Sequence, residues 1–193
     1  MLRISFLLVA LIFCTSAWAE NITSAYSNLN IETDCKFYGE NVGDGTARCA
    51  GYKDYPVHFA EGDLRQMVQF GFVEKPFEQW QSFSEFNRIN NVIEWRLNGR
   101  APYAAILRWF IENADPNTGS PNKAHEGQVL VISTVGSDDN PDSCVVGYVD
   151  ARANKGANEL ARQVADTLAS NFRCGIDRAE YHGKKGKYAG SIN

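Results

Sequence analysis

Histidine is scarce in this chain of 193 residues, which holds three: His58, His125 and His182. No two of them stand at a His-x-x-x-His spacing, and no motif sets a serine beside an acid-oriented histidine. The sequence therefore carries no metal-binding helix signature and no recognisable nucleophile–base unit, so no catalytic residue, metal ligand or cofactor is assigned from it. Basic residues are also in short supply. Nineteen Lys and Arg face 23 Asp and Glu, for a net charge of −4, which argues against a general nucleic-acid binder. After Ala19 no apolar run approaches the roughly 20 residues that a membrane helix needs, so no span is expected in the mature chain. Internal repeats and low-complexity segments are missing as well.

Cysteine is rare but informative. There are five. Cys14 lies inside an N-terminal stretch with the layout of an export signal: Arg3 as a basic start, residues 4–14 as an apolar run too short to span a bilayer, and Ala17-Trp18-Ala19 as a small-x-small cleavage site before Glu20. Bulky Phe13 before Cys14 is a poor fit to a lipoprotein site, so Cys14 is expected to leave with the signal. Losing Arg3 takes the mature chain to −5. Cys35, Cys49, Cys144 and Cys174 remain, an even set that reads as two disulfides in an oxidising compartment. Of three connectivities the two local ones, Cys35–Cys49 and Cys144–Cys174, are favoured. The first closes a loop of about 15 residues and would stabilise by roughly 3 kcal/mol. A zinc site would call for a close Cys-x-x-Cys pair or a nearby histidine, and there is neither. Asn21-Ile22-Thr23 is a glycosylation sequon, relevant in a eukaryotic secretory pathway.

The pattern predicts a run of strands followed by one helix. Strands are expected over 46–52, 55–60, 64–72, 92–97, 103–111, 128–135 and 144–149, and 26–33 alternates weakly as a candidate first strand. The turn at Glu61-Gly62-Asp63 and the Asn98-Gly99 pair mark hairpins, with Gly62 as the expected left-handed residue of the first. Arg108 is expected to meet Glu94 across the second hairpin. A helix is predicted over 154–172, with Ala157, Leu160, Ala161, Val164, Leu168 and Phe172 as its buried stripe. Glu159, Arg162, Asp166 and Ser170 should then face solvent. This makes an α+β domain over 20–180, a mostly antiparallel sheet of about six to seven strands covered by one long C-terminal amphipathic helix, with a flexible polar tail over 181–193.

The strongest functional signal is aromatic. Phe77, Trp80, Phe83 and Phe86 recur every three residues, which predicts a short helix or 3₁₀ segment with one aromatic side. Glu78, Gln79, Gln81, Ser82, Ser84 and Glu85 alternate with them, so burying all four is difficult. These four residues form the expected partner surface. Other clusters read more simply as turns. Glu61 and Asp63 with Glu74 could pose as paired carboxylates, and Asp138, Asp139 and Asp142 form a second acidic group. Asp115-Pro-Asn117-Thr-Gly119, with Glu126 at its twelfth place, echoes a calcium loop, but Gly119 and Ser120 break the ligand pattern. The expected function is that of a periplasmic or secreted, non-enzymatic protein binding an envelope protein or polymer. A ligand carrier would instead need an apolar pocket between helix and sheet lined by Trp95 or Trp109, and an envelope hydrolase a cleft around His58 or Glu94.

Overall fold

The computed structural model describes residues 21–38, 45–78 and 80–192. The signal-like residues 1–19, Cys14 among them, lie outside the described residues. The strands are β1 (Ile22–Asn28), β2 (Cys35–Phe37), β3 (Ala47–Tyr52), β4 (Tyr55–Gly62), β5 (Arg65–Gly71), β6 (Asn87–Asn98), β7 (Ala101–Ile111), β8 (Gly127–Gly136), β9 (Val145–Asp150) and β10 (Glu180–Tyr181). The helices are α1 (Ile31–Asp34) and α2 (Ala157–Leu168), and a 3₁₀ turn, Ala169–Asn171, continues α2.

All ten strands join one mixed sheet in the order β1-β6-β7-β8-β5-β4-β3-β2, with β9 beside β8 and β10 beside β9. The pairs β5–β8 and β9–β10 are parallel, and the others are antiparallel. β8 branches: residues 129–133 pair with β9, while Val135 and Gly136 pair with Phe70 and Gly71 of β5. The sheet curls until β1 touches β3, although they stand far apart in strand order.

Alternation along the strands divides the apolar residues into two layers. On β7, Ala105, Leu107, Trp109 and Ile111 point into the curl, joining Val57, Phe70, Ile93 and Trp95. Ala104 and Ile106 point outward, where they meet Leu130, Ile132, Val146 and Val149 beneath Ala157, Ala161, Val164 and Ala165 of α2. The alanines let the helix lie close to the sheet.

The α+β expectation is thereby corrected: the chain is mostly β, and its main helix is short. α2 has 12 residues. It cannot begin at 154, because Gly156 takes a left-handed φ of 72° and the preceding turn is held by Asp150, whose carboxylate accepts from the Arg152 and Ala153 N–H groups. It ends where residues 169–171 tighten into the 3₁₀ turn and Phe172 becomes extended. Three features of the sheet exceed the sequence expectation. β1 starts at Ile22, β6 runs for 12 residues, and the short β2 and β10 carry no periodic signal.

Both favoured disulfides are present, Cys35–Cys49 and Cys144–Cys174. Cys35 and Cys49 face each other on β2 and β3. Cys144–Cys174 ties the start of β9 to the chain beyond α2. Two such staples fit an oxidising, extracytoplasmic compartment. No helix among the described residues is long and apolar enough to cross a membrane. The segment expected to be a mobile tail is tied down through residue 192. The Gly186 N–H donates to the Asp150 carboxylate at 2.8 Å, Ala189 is buried, and Ile192 bridges to Phe83.

Candidate partner-binding surface

β5 ends at Gly71, whose φ of 85° turns the chain; a Cβ there would sit 2.1 Å from the Gly136 carbonyl oxygen. The chain then crosses the outer face of β5 as a strap over 72–86. The aromatic spacing predicts helix here, yet none forms. Polar side chains bind the strap to the sheet instead. Gln69 accepts from the Phe77 N–H at 2.8 Å, Ser82 donates to the Gln66 carbonyl at 2.7 Å, and Gln81 accepts from the Val145 N–H at 3.1 Å. Gln81 and Ser82, between the aromatics, thus serve as anchors, which is incompatible with an aromatic stripe beside a solvated one.

The four expected contact residues are separated by this arrangement. Phe83 is 1% exposed and packs on Trp109 and Tyr148, with ring centroids 5.6 and 5.7 Å away, so it belongs to the core. Phe77 is half-buried and holds a left-handed φ of 67°, unusual for an aromatic residue. Trp80 and Phe86 remain exposed at 41% and 38%. They flank the tip of the β4–β5 hairpin. Trp80 lies beside Gly62, and the Arg65 guanidinium sits 4.9 Å from the Phe86 ring centroid.

Leu64, to which the sequence pattern assigns no special role, completes the patch. Gly62 pairs with Arg65, leaving Asp63 and Leu64 as a two-residue turn with φ values of 49° and 58°. Both central residues are left-handed, as in a type I′ turn that usually takes Asn-Gly. The positive φ therefore falls on Asp63 and Leu64, not on Gly62. Leu64 is 61% exposed, and its carbonyl accepts from the Asn87 N–H at 3.0 Å. A leucine held in this conformation costs about 1 kcal/mol or more and gains no burial in return. The signal that could have found it is a bulky residue at the second place of a two-residue hairpin loop.

The other candidate residues serve the scaffold. His58 is 6% exposed; its Nε2–H donates to the Gly71 carbonyl at 3.1 Å, and its Nδ1 has no partner. Burial holds its pKa below the ordinary value, opposed by the Gly71 bond and aided by the nearby Arg48 charge. A ring bonded to a main-chain carbonyl is not aimed at a nucleophile. Glu94 does not meet Arg108; it lies opposite Ile106 on the ladder and accepts from Ser24 Oγ and Arg162 Nε, both at 2.6 Å. Arg108 donates instead to Gln128 and Asn158. Asp166, expected in solvent, accepts two bonds from Arg96 and one from Tyr103. Burial raises the Tyr103 pKa, as does its bond to Asp166. Burial also works against ionised Asp166, but the Arg96 and Tyr103 bonds prevail and hold its carboxyl below the usual range.

Trp95 and Trp109 face the inside of the curl, away from α2. Trp95 packs edge-on against Phe70 at 5.5 Å and donates to Ser27 Oγ at 2.8 Å. They do not line a space between helix and sheet. Among the described residues no three His, Cys, Asp or Glu side chains converge as a metal site. Asp115 is occupied by the Asn117 N–H and the Asn122 amide, and Glu126 by Arg88. Glu61 accepts from Gln66, and Asp63 is paired with Arg65. An open groove of about 320 Å³ beside the strap is bordered by Glu74, Lys75, Glu78, Asp142 and Cys174.

No family model matches this sequence, and neither a curated protein nor a solved structure shows significant similarity to it.

Proposed function

We propose that this chain is an exported, non-enzymatic protein, periplasmic or secreted, that binds a macromolecular partner at the cell envelope. Export is supported by the signal-like residues 1–19 together with two disulfides. The observation that carries the binding role is Leu64, strained and exposed between Trp80 and Phe86. A folded chain keeps such a residue at a cost, and an aromatic-aliphatic patch with one arginine is the composition of an interface anchor. The contact residues are Leu64, Trp80 and Phe86, with Phe77 at the margin. Phe83 is buried and belongs to the core.

The test is an affinity capture from envelope extract with the oxidised chain cut after Ala19. A stoichiometric partner should be lost when Leu64→Gly, Trp80→Ala and Phe86→Ala are combined. Leu64→Gly alone should raise stability by about 1 kcal/mol while weakening capture, because glycine relieves the left-handed strain. Equal capture by the triple variant and the parent would sink the reading.

A further inference from the structure

We propose that the loops 151–156 and 183–188 form a binding site for an anionic glycan, a sugar chain bearing repeated carboxylates. It uses other residues and another chemistry than the Leu64 patch, so either can fail alone. The chain as a whole is acidic, at −4. Yet these two loops, Ala-Arg-Ala-Asn-Lys-Gly and Gly-Lys-Lys-Gly-Lys-Tyr, contain five cations and no acid. They are interlocked. Asn154 donates to the Lys184 carbonyl at 2.7 Å and accepts from the Lys184 N–H at 2.9 Å. The Gly186 N–H donates to Asp150 at 2.8 Å. These bonds bring Arg152 and Lys155 beside Lys184, Lys185 and Lys187, all five exposed.

None of the five makes an ion pair among the described residues. The bordering carboxylates are already occupied. Asp150 is buried and accepts from three main-chain N–H groups, and Glu126 is paired with Arg88. Asp150 offsets one charge of the five, and the Arg152 guanidinium is steadied by the Ala124 and Glu126 carbonyls, so the two loops keep a net positive charge in a fixed shape. Between the loops lies a groove of about 250 Å³ lined by Arg152, Lys187 and Tyr188, with the Asp150 carboxylate, held by main-chain N–H groups, also in its wall. The Tyr188 ring stacks on His125 at 4.9 Å and has Arg152 at 5.7 Å and Lys187 at 5.2 Å from its centroid. An aromatic ring among cations offers a platform for a sugar ring while its carboxylates meet the ammonium and guanidinium groups.

The same charges could attract an anionic membrane, but stable membrane contact adds apolar side chains that enter the bilayer. Among the described residues, none of the exposed large apolar side chains lies in either loop. The concave site fits a chain better than a flat surface.

The experiment measures binding of the oxidised chain 20–193 to immobilised polygalacturonate at low salt, with dextran and equimolar phosphatidylglycerol–phosphatidylcholine vesicles in parallel. Lys185→Gln with Lys187→Gln should weaken binding to the polymer by about tenfold. Arg152→Gln with Lys155→Gln should do the same from the other loop. Lys36→Gln with Lys53→Gln, an equal charge change elsewhere, should leave affinity within about twofold. Unchanged melting temperatures for these surface variants would make the comparison one of binding. Equal losses for all three pairs, retained affinity in the two loop pairs, equal binding to dextran, or preference for the vesicles would each overturn the proposal.

Discussion

His58 shows how one side chain can be read as chemistry in a sequence and as structure in a fold. Its ring donates to the Gly71 carbonyl, leaving Nδ1 buried and bare. A proton on Nδ1 would find no acceptor, and Arg48 on the neighbouring strand would repel it. The folded state therefore prefers the neutral ring, and its pKa lies below 6.5. The unfolded chain binds this proton first as pH falls. The resulting stability is full above the unfolded value and is lost as pH drops through 6.5 toward the folded value. Thermal melts at pH 7 and pH 5 should show a loss that is smaller in His58→Gln, which keeps a donor for Gly71 but cannot titrate. An identical loss in both proteins would mean that other groups set the acid sensitivity.

At the level of elements, α2 is held by apolar contact on one side and by ions on the other. Asp166 anchors Arg96 of β6, and Arg162 anchors Glu94 of the same strand. The Arg96 side chain is 9% exposed, so removing Asp166 strands a nearly buried cation. Asp166→Ala should cost about 3 kcal/mol, whereas Arg96→Met with Asp166→Leu should recover much of that loss. Urea denaturation of the single and double variants measures both. A double variant no more stable than Asp166→Ala would show that the pair contributes more than an apolar replacement can. This tether is not legible in the sequence. Helical spacing puts Arg162 and Asp166 on the polar side correctly, but that side meets β6 as well as water. The apolar stripe is legible because Ala161 and Val164 recur at helical intervals. The hairpin marked by Asn98-Gly99 is legible one place off: Asn98 pairs with Ala101, so the loop is Gly99-Arg100, and Gly99 supplies its left-handed φ. The strap reads falsely as helix because a three-residue aromatic period occurs equally in a segment of turns and bends whose Gln81 and Ser82 bind to the sheet. The Leu64 patch is harder to read: its signal, a bulky residue at the second place of a two-residue loop, shows only once the pairing of Gly62 with Arg65 fixes where that loop lies.

For the whole molecule, the order of strands depends on long-range pairing that no local pattern encodes. β5 and β8 are separated by two strands and the strap in sequence, yet they join the two parts of the sheet through two residue pairs, Phe70↔Val135 and Gly71↔Gly136. So short a seam makes its glycines decisive. Gly71 combines a φ of 85° with crowding: a Cβ on it would lie 2.1 Å from the Gly136 carbonyl oxygen and 2.8 Å from the Gly136 nitrogen. Gly99, at φ 61°, has open space around it. Alanine at Gly99 should cost about 1 kcal/mol, the left-handed penalty alone. Alanine at Gly71 adds a clash between two main chains, so it should cost about 3 kcal/mol or more and shift the strap that starts there. Its effect should also reach capture through the Leu64 patch, since Trp80 and Phe86 ride on that strap, while Gly99→Ala leaves capture unchanged. Equal destabilisation by the two substitutions would show that the seam yields by opening, and that the two parts of the sheet hold together mainly through the core inside the curl.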